Sequence, residues 1–261
     1  MSSTHALLQQ RAQGAVTLRM KASGIETLRE QGSAKVRLPP GLTHAYLINT
    51  AGGLAGGDDF SNTFTIGEKT CLTITTQAAE RVYRSLGPPA RLHSQLTLAP
   101  HARLNWLPHE TIAFDGASLN RRIAVEMDQT ARFLGLEMLV FGREASGETI
   151  TSLTLRDEWH IRRDGKLVHA DIVAFNGALP SSKTTLGDAK ALATLVLIDP
   201  HVATLAEKII PMIGDLGGVS AWNGKLVARF FAKDTIKLKK AVTAVLSVLA
   251  RAEELPKNWM V

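Results

Sequence analysis

Short runs of alternating apolar and polar residues, each soon closed by Gly, Pro or Asn, constrain this chain more than any other feature. Leu92, Ser94, Leu96 and Leu98 alternate with His93, Gln95 and Thr97, and Ile123, Val125 and Met127 alternate with Ala124 and Glu126. A period of two sends one set to a core face and the other towards solvent, the pattern of a half-buried strand. Trp159 and Ile161 lead through Asp164-Gly165 into Lys166-Leu167-Val168. There Asp-Gly supplies the positive φ of a type I′ hairpin turn. Punctuation recurs at Pro39-Pro40-Gly41, Gly87-Pro88-Pro89, Pro100, Asp115-Gly116 and Asn176-Gly177. That spacing predicts a mainly β body of many short strands, not alternating βαβ units.

The last third changes period. Leu205, Ala206, Ile209, Ile210 and Ile213 share a face only in a helix, which Pro211 is expected to end or kink. Residues 226–231 return to strand. Asp234 then caps a second helix in which Leu238, Val242, Val245 and Leu249 recur three or four residues apart, with Arg251 near its end and Pro256 beyond it. No linker composition divides the chain, so residues 1–261 read as one domain. No repeat of fixed period is visible.

Hydrophobic residues at 45% against 21% charged supply a core and exclude a disordered chain. Lys and Arg number 30 against 24 Asp and Glu, a net charge of +6 that favours acidic partners. The basic residues are scattered except for Lys233, Lys237, Lys239 and Lys240, which on a helix form a solvated face. An acidic protein therefore fits better than nucleic acid. The single cysteine, Cys71, lies in a strand-like stretch as a buried, inert thiol and suits a reducing compartment. Residues 1–10 lack the apolar core of a signal peptide. The most apolar stretch, residues 241–250, falls short of the roughly 20 residues that span a bilayer. A cytoplasmic protein with no membrane contact is expected.

No motif carries catalysis outright. Asn49-Thr50-Ala51-Gly52-Gly53-Leu54-Ala55-Gly56-Gly57-Asp58-Asp59 is glycine-dense, but a phosphate loop needs Lys then Ser or Thr where Asp58 and Asp59 stand. A tight connecting loop presenting Asp58 is expected instead. His109-Glu110 opens like a zincin helix, yet Ala113 replaces the second histidine. The eight histidines form no HxH or HxxH pair, so neighbouring residues build no tight metal site. There is no G-x-S-x-G elbow, although a triad assembled across the fold stays open. Arg81, Tyr83 and Ser85 would share a strand face, with Arg84 beside them. This is either an exposed face whose arginines pair with carboxylates or a docking surface, for which Arg and Tyr are typical anchors.

Several segments together resemble the UreD (UreH) family of urease accessory proteins. They are NTAGGLAGGD (49–58), TTQAAERVYRS (75–85), LNWLPHETIAF (104–114), GLEMLVFGREASGE (135–148) and LPKNW (255–259). The resemblance runs in order through nearly the whole chain. Ala55, His109 and Lys257 depart from the family's frequent Thr, Gln and Arg. The resemblance implies an elongated, β-helix-like body with two helices towards the C-terminus. It also implies a non-catalytic partner of a UreF-type helical accessory protein and a UreG-type GTPase, in an assembly that docks on apo-urease and helps insert nickel. GTP would be bound by the GTPase, and this chain would hold no tight cofactor. Nickel would pass through it transiently, supplied by a UreE-type metallochaperone.

A conduit has to bind weakly, and scattered oxygen ligands suit that better than a Cys/His cage. Asp58, Glu110 and Glu137, helped by His109 and Gln77, could line the path. Equally, these carboxylates could pair with Arg81, Arg84 or Arg143. Arg81, Tyr83 and Arg84 are candidate docking residues. Leu238 and Val242 offer a partner face on the last helix, with core packing as the alternative. Two other functions stay open: a hydrolase on a β scaffold, and a structural adaptor that recruits the GTPase without touching metal.

Overall fold

The computed structural model describes residues 11–41, 43–182, 184–250 and 254–259. Residues 1–10, where no signal-peptide core is expected, and Arg251, expected near the end of the last helix, lie outside them. The chain begins with two antiparallel pairs, β1 (Gln13–Lys21) with β2 (Gly24–Gly32) and β3 (Ala34–Arg37) with β4 (His44–Asn49). It then winds in coils: β5 (Asp59–Ile66), β6 (Cys71–Thr76) and β7 (Glu80–Val82); β8 (Ala90–Leu98), β9 (Arg103–Trp106) and β10 (Thr111–Ala113); β11 (Ser118–Met127) and β12 (Arg132–Phe141). The hairpin β13 (Leu153–Arg163) and β14 (Lys166–Gly177) follows. Then come β15 (Ala191–Ile198), α1 (Val202–Ile213), β16 (Gly217–Trp222), β17 (Lys225–Ala232) and α2 (Thr235–Leu249).

Among the described residues these strands form two sheets. A seven-stranded sheet has the order β14-β13-β11-β8-β5-β1-β2, and the five strands from β13 to β1 are parallel. A ten-stranded sheet has the path β16-β17-β15-β12-β9-β6-β4-β3, while β7 and β10 build a narrow third face beside β12. The first two coils contribute one strand to each face, and in the third β12 serves two, pairing with β9 over residues 132–135 and with β10 over residues 139–141. The body is a β-solenoid with two helices near its C-terminal end, the architecture the family resemblance implied. The coils are unequal in length, which is why no fixed period shows.

The solenoid is held by apolar ladders that run from coil to coil. Leu18, Phe64, Leu96, Val125 and Ile161 are in register and all fully buried. Each such side chain contributes roughly 1.5–3 kcal/mol. Leu72, Leu104 and Phe133 face them from the other sheet. Gly135 makes room for Trp159 across the lumen, since a Cβ there would lie 2.6 Å from the indole ring. The predicted hairpin forms at Asp164 and Gly165, both at positive φ.

Helices α1 and α2 pack on the outer face of the ten-stranded sheet. Strand β12 is therefore buried on both sides. Phe133 and Leu139 enter the lumen cluster, while Leu134, Leu136, Met138 and Val140 join the helix cluster. Asp234 caps α2 as expected, its carboxylate accepting from Ile236 N (2.8 Å) and Lys237 N (3.0 Å). Helix α1 does not stop at Pro211 but runs on to Ile213. Proline in the last turn removes one hydrogen bond, and burial of Ile209 and Ile213 outweighs that loss.

Candidate functional site

The lumen is not filled throughout. A cavity of about 210 Å³ lies where polar residues interrupt the apolar ladders. Its rim includes exposed Gln77 and Arg81 beside the half-buried Asn49 and Glu80, and its floor includes buried Trp106, Arg121 and Glu137. One wall carries the ladder pair Asn62 and Ser94, with Asn62 donating to the serine hydroxyl at 3.3 Å. Ser94 is thus on the core face that its alternation predicted.

The floor is a buried ion cluster. Arg121 on β11 donates from Nε and Nη2 to both oxygens of Asp157 on the next coil (3.0 and 2.6 Å). Its Nη1 reaches Thr111 Oγ1 at 2.9 Å and lies 2.5 Å from Glu137 Oε2 on the opposite sheet. Trp106 Nε1 donates to Glu137 Oε1 at 3.0 Å, whereas Oε2 has no aligned hydrogen bond. One cation thus serves two carboxylates. Burial pushes the Glu137 carboxyl up to about 7, with Asp157 adding to the rise and Arg121 opposing it. Arg121 is held firmly charged, because its two carboxylates outweigh its desolvation. Burial also raises Glu80, against the pull of its bond to Asn49.

His109 lines the same cavity and is itself buried. Its imidazole is pushed below its ordinary pKa by burial and by the Lys239 charge. Among the described residues no group of three or more His, Cys, Asp or Glu could hold a metal ion.

Comparison with known proteins decides the family. The model of the UreD urease accessory protein family matches residues 10–259. The chain belongs to the UreD family. It is similar to the urease accessory protein UreD of Agrobacterium fabrum, at 41% identity over 96% of this chain and 92% of the relative. The Rhizobium johnstonii protein of that name is 40% identical over 96% of each chain. That of Paracoccus denitrificans is 40% identical over 97% of this chain and 93% of its own. The role that follows from membership is in urease maturation. No helix among the described residues is long and apolar enough to cross a membrane.

Of the UreD residues singled out from sequence, the structure brings His109, Gln77 and Glu137 to one cavity and sets others apart. Asp58 is a loop lock, its oxygens accepting from Ala12 N (2.8 Å) and Ala55 N (2.7 Å), and it does not line the cavity. The glycines around it serve close approach: a Cβ on Gly53 would meet the Tyr83 ring at 2.4 Å. Glu110 also lies outside the lining, bonded to Lys239 at 3.2 Å. The expected arginine pairings differ too, since Arg84 pairs with Asp115 and Arg143 with Glu148. Arg81 and Tyr83 are exposed with Val82 buried between them, as the alternation predicted, whereas Ser85 is half-buried and Arg84, out of phase with them, is exposed as well. Leu238 and Val242 are fully buried against the sheet and present no surface to a partner. Cys71 is half-buried, and burial raises its thiol pKa.

Sequence reading passed over Glu80, Arg121 and Asp157. A signal existed for the last two: Arg121 is in phase with the inward Leu119 and Ile123, and Asp157 with Leu155 and Trp159. A charge in phase with the apolar set has to find its partner inside.

Proposed function

We propose that this chain is a non-catalytic scaffold in urease maturation, and that nickel moves through the solenoid lumen on its way to apo-urease. The observation that carries the reading is the cavity, which joins the exposed rim at Gln77 and Arg81 to the buried Glu137. Its donors are few and unlike: the His109 imidazole, the Glu80 and Glu137 carboxylates, and the amides of Asn49 and Gln77. Several are already engaged, so an ion finds partial coordination at each position and a deep well at none. That is what a passage requires, because an ion held by a full ligand set would not leave.

The exposed face of Arg81, Tyr83 and Arg84 supports docking of a protein, and the net charge of +6 supports acidic partners. The partners in this reading are a UreF-type helical protein, a UreG-type GTPase that carries the nucleotide, and apo-urease, all in the cytoplasm. The glycine loop supports leaving the nucleotide to the GTPase, because Asp58 occupies it with a carboxylate and no lysine follows.

The test is nickel-dependent activation of urease in cells co-expressing the operon. His109→Ala, Glu80→Gln and Glu137→Gln should each lower activation while the complex is recovered intact. Asp58→Ala should act instead through loss of folded protein. Full activation by a variant lacking all three cavity groups would leave the chain an adaptor that never touches metal.

A further inference from the structure

The C-terminal segment makes more polar contacts than a chain end needs for packing. The Glu254 carboxylate pairs with Arg103 and accepts from Asn105 Nδ2 at 2.9 Å, and its main-chain oxygen accepts from Thr73 Oγ1 at 3.0 Å. Asn258 Nδ2 donates to Thr76 O at 3.0 Å. The Trp259 indole N–H donates to Leu107 O at 3.0 Å and Thr75 Oγ1 at 3.2 Å. The segment therefore lies across the outer face of β6 and β9. It adds hydrogen-bond partners to the buried polar side chains Thr73, Thr75 and Asn105 there.

At its end the segment reaches the cavity wall from behind. The Trp259 ring is parallel to the His109 imidazole, 4.8 Å between centroids and 9° between planes. Thr76 Oγ1 accepts the His109 backbone N–H at 2.9 Å, and a Glu110 oxygen lies 3.9 Å from Nδ1. Lys239 on α2 completes the corner, bonded to Glu110 and 5.7 Å above the Trp259 ring. His109 is thus fixed at its backbone, on one ring face by Trp259 and through the Asn258 side chain of the same segment, and it lines the cavity.

We propose that Trp259 is a positioning residue: the segment Glu254–Trp259 is a strap that sets the plane of the His109 imidazole in the cavity wall and closes the corner behind it. This rests on the reading of the cavity as the nickel path. Without the stack the imidazole turns about its side-chain bonds, and a passing ion meets it in a productive orientation less often. The carboxylates and amides of the cavity are unaffected, so the passage slows at low nickel and still works at high nickel.

Activation of apo-urease is titrated with nickel in the complete accessory complex containing the full-length chain. Trp259→Leu fills the space without stacking. It should raise the half-activating nickel concentration about two- to tenfold, the range that loss of one aromatic stack gives, and leave the plateau in place. Trp259→Phe keeps a ring against His109 and should restore the wild-type titration. In a His109→Ala background, Trp259→Leu should add nothing, since both act through one group.

Additive losses in that background, equal losses in the Leu and Phe variants, or an unchanged titration with Trp259→Leu beside an impaired His109→Ala would each overturn the strap. Normal activation by His109→Ala would instead remove the nickel-path reading. The strap is then decided by diethyl pyrocarbonate labelling of His109 in the same complex. Low labelling in the wild type that rises in Trp259→Leu upholds its closing role, and equal labelling ends it.

Discussion

The two sheets of the solenoid share one lumen and meet different surroundings on their outer sides. The seven-stranded sheet turns its back to water, and β5, β11 and β13 alternate buried with exposed or half-buried residues along most of their length. The middle of the ten-stranded sheet is covered, by α1 and α2 over β12, β15 and β17 and by the C-terminal segment over β6 and β9, and β15 has no exposed residue. A strand with one wet face can place its charges outward at almost no cost. A strand covered on both faces cannot, and a charge on it needs a partner in the interior. Glu137 on β12 is that case, and its partner Arg121 comes from the other sheet.

The sharpest test of this contrast is Arg121→Met. It leaves Glu137 and Asp157 in the lumen without a counter-charge and should destabilise by about 3–5 kcal/mol in urea unfolding. A loss below about 1 kcal/mol would mean the lumen hydrates its carboxylates as well as the outer surface does.

Next comes pH. The Glu137 carboxyl, raised by burial from 4.5 to about 7, holds its proton in the folded chain over a range where the unfolded chain has released it. The folded state then binds more protons, so stability contributed by this group is present below about 4.5 and is lost as pH rises through about 7. Glu137→Gln should flatten that decline between pH 5 and 8, read as the change in melting temperature. An unchanged slope would assign the decline to other groups.

Smaller effects lie on the outside. Asp234→Ala removes the cap of α2 and should cost about 1 kcal/mol, seen as a shift in the urea midpoint. Thr97→Ala, on the wet face of β8, should stay within about 0.5 kcal/mol. If Thr97→Ala cost as much as the cap, the two outer faces would not differ as described.

The same contrast explains what could be read from the sequence. The wet sheet was legible, because Leu92 to Leu98 and Ile123 to Met127 alternate and Asp164-Gly165 marks its hairpin. Helix α2 was legible from Asp234 and its apolar stripe. The covered sheet was not: residues 191–198 are apolar except for Thr194, and such a stretch has no period to read when both faces are dry. The winding was hidden as well, since coils of unequal length leave no repeat. Of the cavity lining, His109 and Glu137 lie within segments that carry the family resemblance. Asp58 and Glu110 were drawn in with them because sequence proximity cannot tell a loop lock or a surface ion pair from a lining residue. Arg121 and Asp157 were missed because a charged residue in an alternating strand looks solvated until its phase is compared with its neighbours.

The antiparallel pairs at the margins carry a further consequence. Both sheets are parallel in the middle, yet β2, β14, β3 and β16 each run against the strand beside them. Among the described residues each of these end strands keeps one row of main-chain donors and acceptors on an outer edge that no strand of the sheet covers. The winding is therefore finished at both ends by strands turned back on its direction, as a screw thread ends in a shoulder.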